Sequence, residues 1–159
     1  MTAAAQHKPI DIQPLTAADY AAWLPLWHGY QKFYGVTLSP DVTAATWLRL
    51  LDPSEPVHGL AARHGADLAG FTHFLFHRST WLTTDTCYLQ DLYVEPKVRG
   101  RGIARTLIEA VYAAADAAGA GQVYWLTHQT NTPARALYDR VARNDGFIAY
   151  ERFSEAPKP

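Results

Sequence analysis

One segment constrains the fold more than any other. Residues 87–94, Cys-Tyr-Leu-Gln-Asp-Leu-Tyr-Val, are rich in aromatic and branched side chains and read as a strand. A basic turn follows, Arg99-Gly100-Arg101-Gly102, and the pattern then changes period. Ile103, Leu107, Ile108, Val111, Ala115 and Ala118 recur at helical spacing up to Gly119, and residues 122–128 read as a further strand. A strand–helix–strand passage of this length accommodates a parallel crossover, which places the chain among α/β folds.

The remaining elements are fitted around that unit. Residues 10–13 alternate as a first strand, and Thr16 is placed to cap a helix reaching about residue 31. That helix carries Trp23, Leu24, Leu26, Trp27, Tyr30 and Phe33, and Pro25 is expected to kink or split it. Ser39-Pro40-Asp41 starts a second helix that Asp52-Pro53 stops. Gly65-Ala66-Asp67 joins strands 57–64 and 68–79 as a hairpin. Asn131-Thr132-Pro133 opens a helix with the apolar stripe Ala134, Leu137, Tyr138 and Val141. Asp145-Gly146 stops it before a last strand over 147–153. The expected architecture is a single-domain mixed, mostly antiparallel sheet flanked by helices over residues 10–153, with tails at 1–9 and 154–159.

Composition narrows the function. The chain has 159 residues, 48% of them hydrophobic and 18% charged, the balance of one folded domain. A net charge of −1 gives no basic field for nucleic acid. Its apolar runs fall short of the ~20 residues a membrane span needs. The lone Cys87 excludes an internal disulfide and a cysteine zinc site, and is read as a small strand residue without chemistry. With no secretory h-region at the N-terminus, a cytoplasmic location is expected. His73 and His77 lie four residues apart on a strand, ~13 Å, too far to share one ion. They are read as partly buried polar residues or acceptor-site residues, and no metal is expected.

The chemistry concentrates in the basic turn. A helix N-terminus offers unpaired N–H groups to phosphate, and Gly100 and Gly102 let a bulky pyrophosphate approach the backbone. Arg99, Arg101 and Arg105 add charge-assisted donors; the competing reading is a basic surface turn. A dinucleotide fingerprint needs glycine where Arg105 stands, and a nucleotide P-loop needs Gly-Lys-Ser/Thr. Neither pattern fits.

The pattern Arg-x-x-Gly-x-Ala at residues 99–104, directly after the strand 88–94, resembles the pyrophosphate loop of the Gcn5-related N-acetyltransferase (GNAT) superfamily. A second match follows in Asn131-Thr-Pro-Ala-Arg-Ala-Leu-Tyr138 and Asp145-Gly146-Phe147. The resemblance covers residues 10–153 and points to bacterial histone/polyamine and diamine acetyltransferase-like members. It implies acetyl-CoA as co-substrate. Leu92, Tyr93 and Val94 would pair with its pantetheine arm, and Arg99, Gly100, Arg101, Gly102, Ile103, Ala104 and Arg105 would hold the pyrophosphate. Asn131 to Ala134 would line the cofactor's other side, and Tyr138 would be the general acid. The implied reaction is direct attack by a primary amine of a small molecule in a ternary complex. Acceptors of polyamine, diamine or amino-acid type are expected.

The residue types suit that reaction. A lysine-like amine has a pKa of ~10.4 and must lose a proton before attack, while a phenol of pKa ~10 can protonate the departing thiolate. Diamine acetyltransferases carry a glutamate where this chain has Gln90, and a neutral amide accepts no proton. Three routes stay open: Asp91 turned inward by a β-bulge, a water chain, or His128. The aromatic cluster of the first helix reads chiefly as core, with Tyr30 and Tyr34 as acceptor-pocket members. Gln90 and His128 are grouped with them as acceptor-site residues. The other readings are a protein lysine or N-terminal acetyltransferase, and a non-catalytic acyl-CoA-binding module. The resemblance also implies a homodimer.

Overall fold

The computed structural model describes residues 9–154; the tails expected at 1–9 and 154–159 fall outside them but for Pro9 and Ser154. Strands β1 (Ile10–Pro14), β2 (Val57–His64), β3 (Asp67–His77), β4 (Thr86–Val94) and β5 (Gln122–Tyr124) form one sheet in sequence order. The first four pair antiparallel, and β4 pairs parallel with β5, as the crossover reading requires. The helices are α1 (Tyr20–Phe33), α2 (Pro40–Leu51), α3 (Ile103–Ala117) and α4 (Thr132–Val141). Two compact units divide the chain between Trp125 and Leu126.

Within the first unit, α1 and α2 cover one face of the sheet and α3 the other. Trp23, Leu26, Trp27, Trp47 and Leu50 close a core over Ala61, Phe71 and Tyr93. On the far face Ile103 and Leu107 pack with Ala62, Ala69 and Val94. The tryptophans carry much of the first core. Trp23 stacks on Trp27 at 5.5 Å and meets Trp47 at 4.8 Å between ring centroids. A large side chain so buried contributes about 2–3 kcal/mol. Asp19 pins the start of α1, accepting from the Thr16 backbone at 2.8 Å and from Arg63 on β2 at 2.6 Å.

Three expectations are corrected. α1 is one helix and is not split at Pro25. The proline removes one donor, and burial of Trp23, Leu26 and Trp27 on the same helix outweighs that loss. β5 has three residues and does not reach 128, because its ladder stops at the pair Tyr88–Tyr124, two residues short of an irregularity in β4. Residues 147–153 form no strand. Alternation fits them to a sheet edge, but a strand exists only where a ladder partner satisfies its backbone. Phe147 and Tyr150 are instead 86% and 90% exposed.

Cys87 is buried in β4, where burial pushes its thiol up to about 11. That is the inert strand residue expected of it. Gly70 marks a close backbone approach in the sheet: a Cβ there would lie 2.6 Å from the Tyr93 carbonyl oxygen and 3.3 Å from Val94 Cα. Both atoms are backbone, so neither can swing away. Gly70→Ala is therefore expected to destabilise the protein by about 1–3 kcal/mol in urea unfolding. An unchanged midpoint would show that β3 and β4 separate at no cost.

Candidate active site

The irregularity in β4 is a β-bulge. His73 pairs with Asp91 and Phe74 with Leu89, so Gln90 is an extra residue with no partner on β3. The bulge turns Asp91 to the face covered by α1, where it is only 8% exposed, and leaves Gln90 exposed beside it. Of the three routes for the amine proton, the first has the geometry it needs.

The Asp91 carboxylate is held by donors. His73 Nδ1 lies 2.9 Å from Asp91 Oδ2, and Trp23 Nε1 donates to His73 Nε2 at 3.1 Å. An indole nitrogen can only donate, so Nε2 is the acceptor and the proton of the neutral ring sits on Nδ1, facing the carboxylate. Trp23, His73 and Asp91 are all buried. The Tyr30 hydroxyl also bonds to Asp91; burial first, and then the carboxylate's charge, push this phenol well above its ordinary pKa. Tyr34 is raised by the same two causes. Both phenols stay neutral at physiological pH, and Tyr30 can serve the carboxylate only as a donor. Tyr30 and Tyr34 are thus electrostatic neighbours of Asp91, and neither lines the pocket that opens onto it.

A pocket of about 200 Å³ opens onto this group between the two helices and β2–β4. Its apolar wall includes Trp27, Leu38, Val42, Val57 and Leu75, and its polar groups are Thr46, Arg49, His73, Gln90 and Asp91. Buried Gln31 fixes the loop between the helices, accepting at Oε1 from Leu38 N at 2.8 Å. Sequence reasoning missed Thr46 and Arg49. Their only signal was spacing: Val42, Thr46 and Arg49 fall on one face of α2.

The turn after β4 has the open backbone that the expected cradle needs. Gly100 and Gly102 have φ of +77° and +80°, and a Cβ on either would meet nothing within 4 Å, so the backbone stands open. Gly102 begins α3 with no side-chain cap, while its carbonyl accepts from Thr106 N at 3.0 Å. The N–H groups of the first turn are thus left to a ligand or to water. Leu92, Tyr93 and Val94 pair with β3, and among the described residues no strand pairs their other edge. Both features fit acetyl-CoA. The arginines differ from one another: Arg99 Nε donates to the Val94 carbonyl at 2.9 Å with its guanidinium over Tyr93, and Arg105 pairs with Glu109 at 2.7 Å. Arg101 is exposed, Ile103 buried and Ala104 half-buried.

The second unit holds the other expected residues. Asn131 heads α4, donating from Nδ2 to Thr127 Oγ1 at 3.3 Å, and its amide bonds the carbonyl of exposed His128. Ala134 and Tyr138, four residues apart, are half-buried on one face of α4. In the first unit, His77 bonds Tyr124 at 3.0 Å and is exposed, apart from buried His73. No three His, Cys, Asp or Glu side chains group as a metal site among the described residues.

Comparison with known proteins agrees with this architecture. Residues 23–142 match the acetyltransferase (GNAT) family. The D-amino-acid N-acetyltransferase HPA3 of Saccharomyces cerevisiae is 36% identical over 145 residues, 90% of each chain. A thialysine N-epsilon-acetyltransferase of Caenorhabditis elegans is 35% identical, over 65% of this chain and 64% of its own length. Among solved structures, a ribosomal-protein-alanine N-acetyltransferase from Brucella melitensis superimposes with a TM-score of 0.77 at 25% identity, covering 91% of this chain and all of its own. The chain belongs to the GNAT family and is an acetyl-CoA-dependent N-acetyltransferase.

Proposed function

We propose that the chain acetylates the primary amine of a small molecule by direct attack in a ternary complex, with Asp91 receiving the amine's proton and Tyr138 protonating the departing thiolate. The observation that carries this reading is the Gln90 bulge, which places a buried carboxylate at a pocket of about 200 Å³. A small acceptor fits within that volume. The similarity to a D-amino-acid and a thialysine acetyltransferase supports the same choice. Gln90 is the feature that favours a non-catalytic module; the buried Asp91 beside it supports the enzyme reading, as a carboxylate able to take the amine's proton.

Acetyl-CoA supplies the activated thioester. The open edge of Leu92, Tyr93 and Val94 would bind its pantetheine amides, and the backbone from Gly100 to Arg105 its pyrophosphate, with Arg99 and Arg101 beside it; Asn131 and Ala134 are cofactor-binding residues by the family resemblance. Asp91 anchors the incoming ammonium. As the acceptor displaces water, the buried ion pair loses its solvation and the proton moves from nitrogen to Asp91 Oδ, leaving a neutral nucleophile. Tyr138 would give its phenolic proton to the departing thiolate.

We place residues 10–153 in one catalytic domain, and the protein in the cytoplasm. It is expected to act as a homodimer. The exposed Phe147, Ile148, Tyr150 and Phe153 offer the apolar surface for that contact. Sedimentation equilibrium should give twice the 17.7 kDa chain mass. A concentration-independent monomer would remove the dimer.

Thiol release from acetyl-CoA tests the chemistry, and the buried Cys87 adds little background to it. Amine-dependent release is expected with amino acids or diamines. Asp91→Asn and Tyr138→Phe should each lower kcat by about 10²–10⁴-fold while acetyl-CoA affinity stays within about twofold. Full activity in either variant would remove that residue from the mechanism.

A further inference from the structure

We propose that Arg49 binds a carboxylate on the acceptor, so that the preferred substrates are amino acids rather than polyamines or diamines. This rests on the small-amine reading above and sharpens it.

The argument is one of charge and position. The pocket lining holds two ionised side chains, Arg49 and Asp91. His73 adds no charge while its Nε2 accepts from Trp23. Asp91 is buried and Arg49 is exposed, so the carboxylate marks the floor and the guanidinium the mouth. An amino acid brings one ammonium and one carboxylate and can satisfy both ends at once. A diamine brings two ammonium groups, and once the first reaches Asp91 the second must approach a guanidinium.

Arg49 is also available for such a ligand. Arg63, Arg78, Arg105 and Arg143 each pair with an aspartate or glutamate, whereas Arg49 has no salt bridge among the described residues. Its planar fork matches a carboxylate bidentately. Thr46, nearly one turn earlier on the same face of α2, adds a hydroxyl at the pocket wall.

The test uses matched pairs that differ only in the carboxylate: lysine against cadaverine, and phenylalanine against phenethylamine, in both D and L forms where they exist. Thiol-release kinetics on the intact protein should give a higher kcat/KM for the amino acid of each pair. Arg49→Gln should lower the ratio of amino acid to amine by about 10- to 100-fold, chiefly through KM, as expected for loss of a charge-assisted bond. Arg49→Lys should restore part of it, and Arg49→Glu should reverse the preference. Because Arg49 is exposed, unchanged thermal melting is the control for folding. A wild-type preference for the diamine, or equal losses for both members of a pair, would overturn the assignment.

Calorimetric titration of lysine and cadaverine separates the two claims. No turnover with any amine, together with Arg49-dependent binding of lysine, would sink the proposed reaction and uphold carboxylate recognition. Equal binding of lysine to wild type and Arg49→Gln would overturn carboxylate recognition, whether or not turnover occurs.

Discussion

The first unit's site depends on one extra residue in one strand. Side chains of a regular strand alternate between faces, so a single insertion exchanges the faces of everything on one side of it. At Gln90 this sets Asp91 in line with His73 and Tyr93 beneath α1, while Leu89 pairs with Phe74. The ladder with β5 also ends two residues before the insertion. The same bulge thus delivers a carboxylate to the pocket and precedes the stretch of β4 whose outer edge carries no strand. In the proposed reaction, acceptor chemistry and cofactor binding draw on the two sides of one backbone irregularity.

A buried carboxylate has to be stabilised by the protein before a substrate arrives. Water solvates an exposed aspartate, but Asp91 has little access to it, and an unpaired buried charge is costly. Its partners are chosen for donation. The indole of Trp23 sets the tautomer of His73, and that tautomer points a proton at Asp91. This links the hydrophobic core to the site, because the same Trp23 stacks on Trp27 and meets Trp47. The side chain that fills the centre of the core also orients the imidazole.

Much of this was legible in sequence, and the rest was hidden for identifiable reasons. Gly100 and Gly102 announced the cradle because positive φ is a property of residue type. Ser39 and Pro40 announced α2 because capping is local, and the Ser39 hydroxyl does accept from Val42 N. The bulge could be named only as a condition for Asp91 to act, since its register depends on how β3 lies against β4. Of the two outcomes expected at Pro25, a kink or a split, the split did not occur, because a local penalty is outweighed by burial along the same helix. The strands expected over 122–128 and 147–153 overran for a related reason: alternation describes a strand's faces but does not provide its hydrogen-bonding neighbour. For Arg49 spacing alone was too little, because an arginine on an amphipathic helix looks the same whether it faces solvent or the mouth of a pocket.

The donors around Asp91 create a tension that the pocket has to resolve. A buried carboxylate lined by donors suits capture of an ammonium, yet an amine that is to attack must also give up its proton. In water the transfer would be strongly uphill, from an amine near pKa 10.4 to an acid near 3.9. Removing water changes the balance, because both charges of the captured pair lose solvation and both disappear on transfer. A guanidinium at the mouth acts in the same direction. Its positive charge disfavours the ammonium form of a nearby amine, although a carboxylate bound to it cancels much of that field. The acceptor's carboxylate would then matter beyond affinity: it would neutralise the guanidinium that the ammonium has to pass, and would occupy Arg49 while the amine sits at Asp91. A diamine has no group with which to make that exchange.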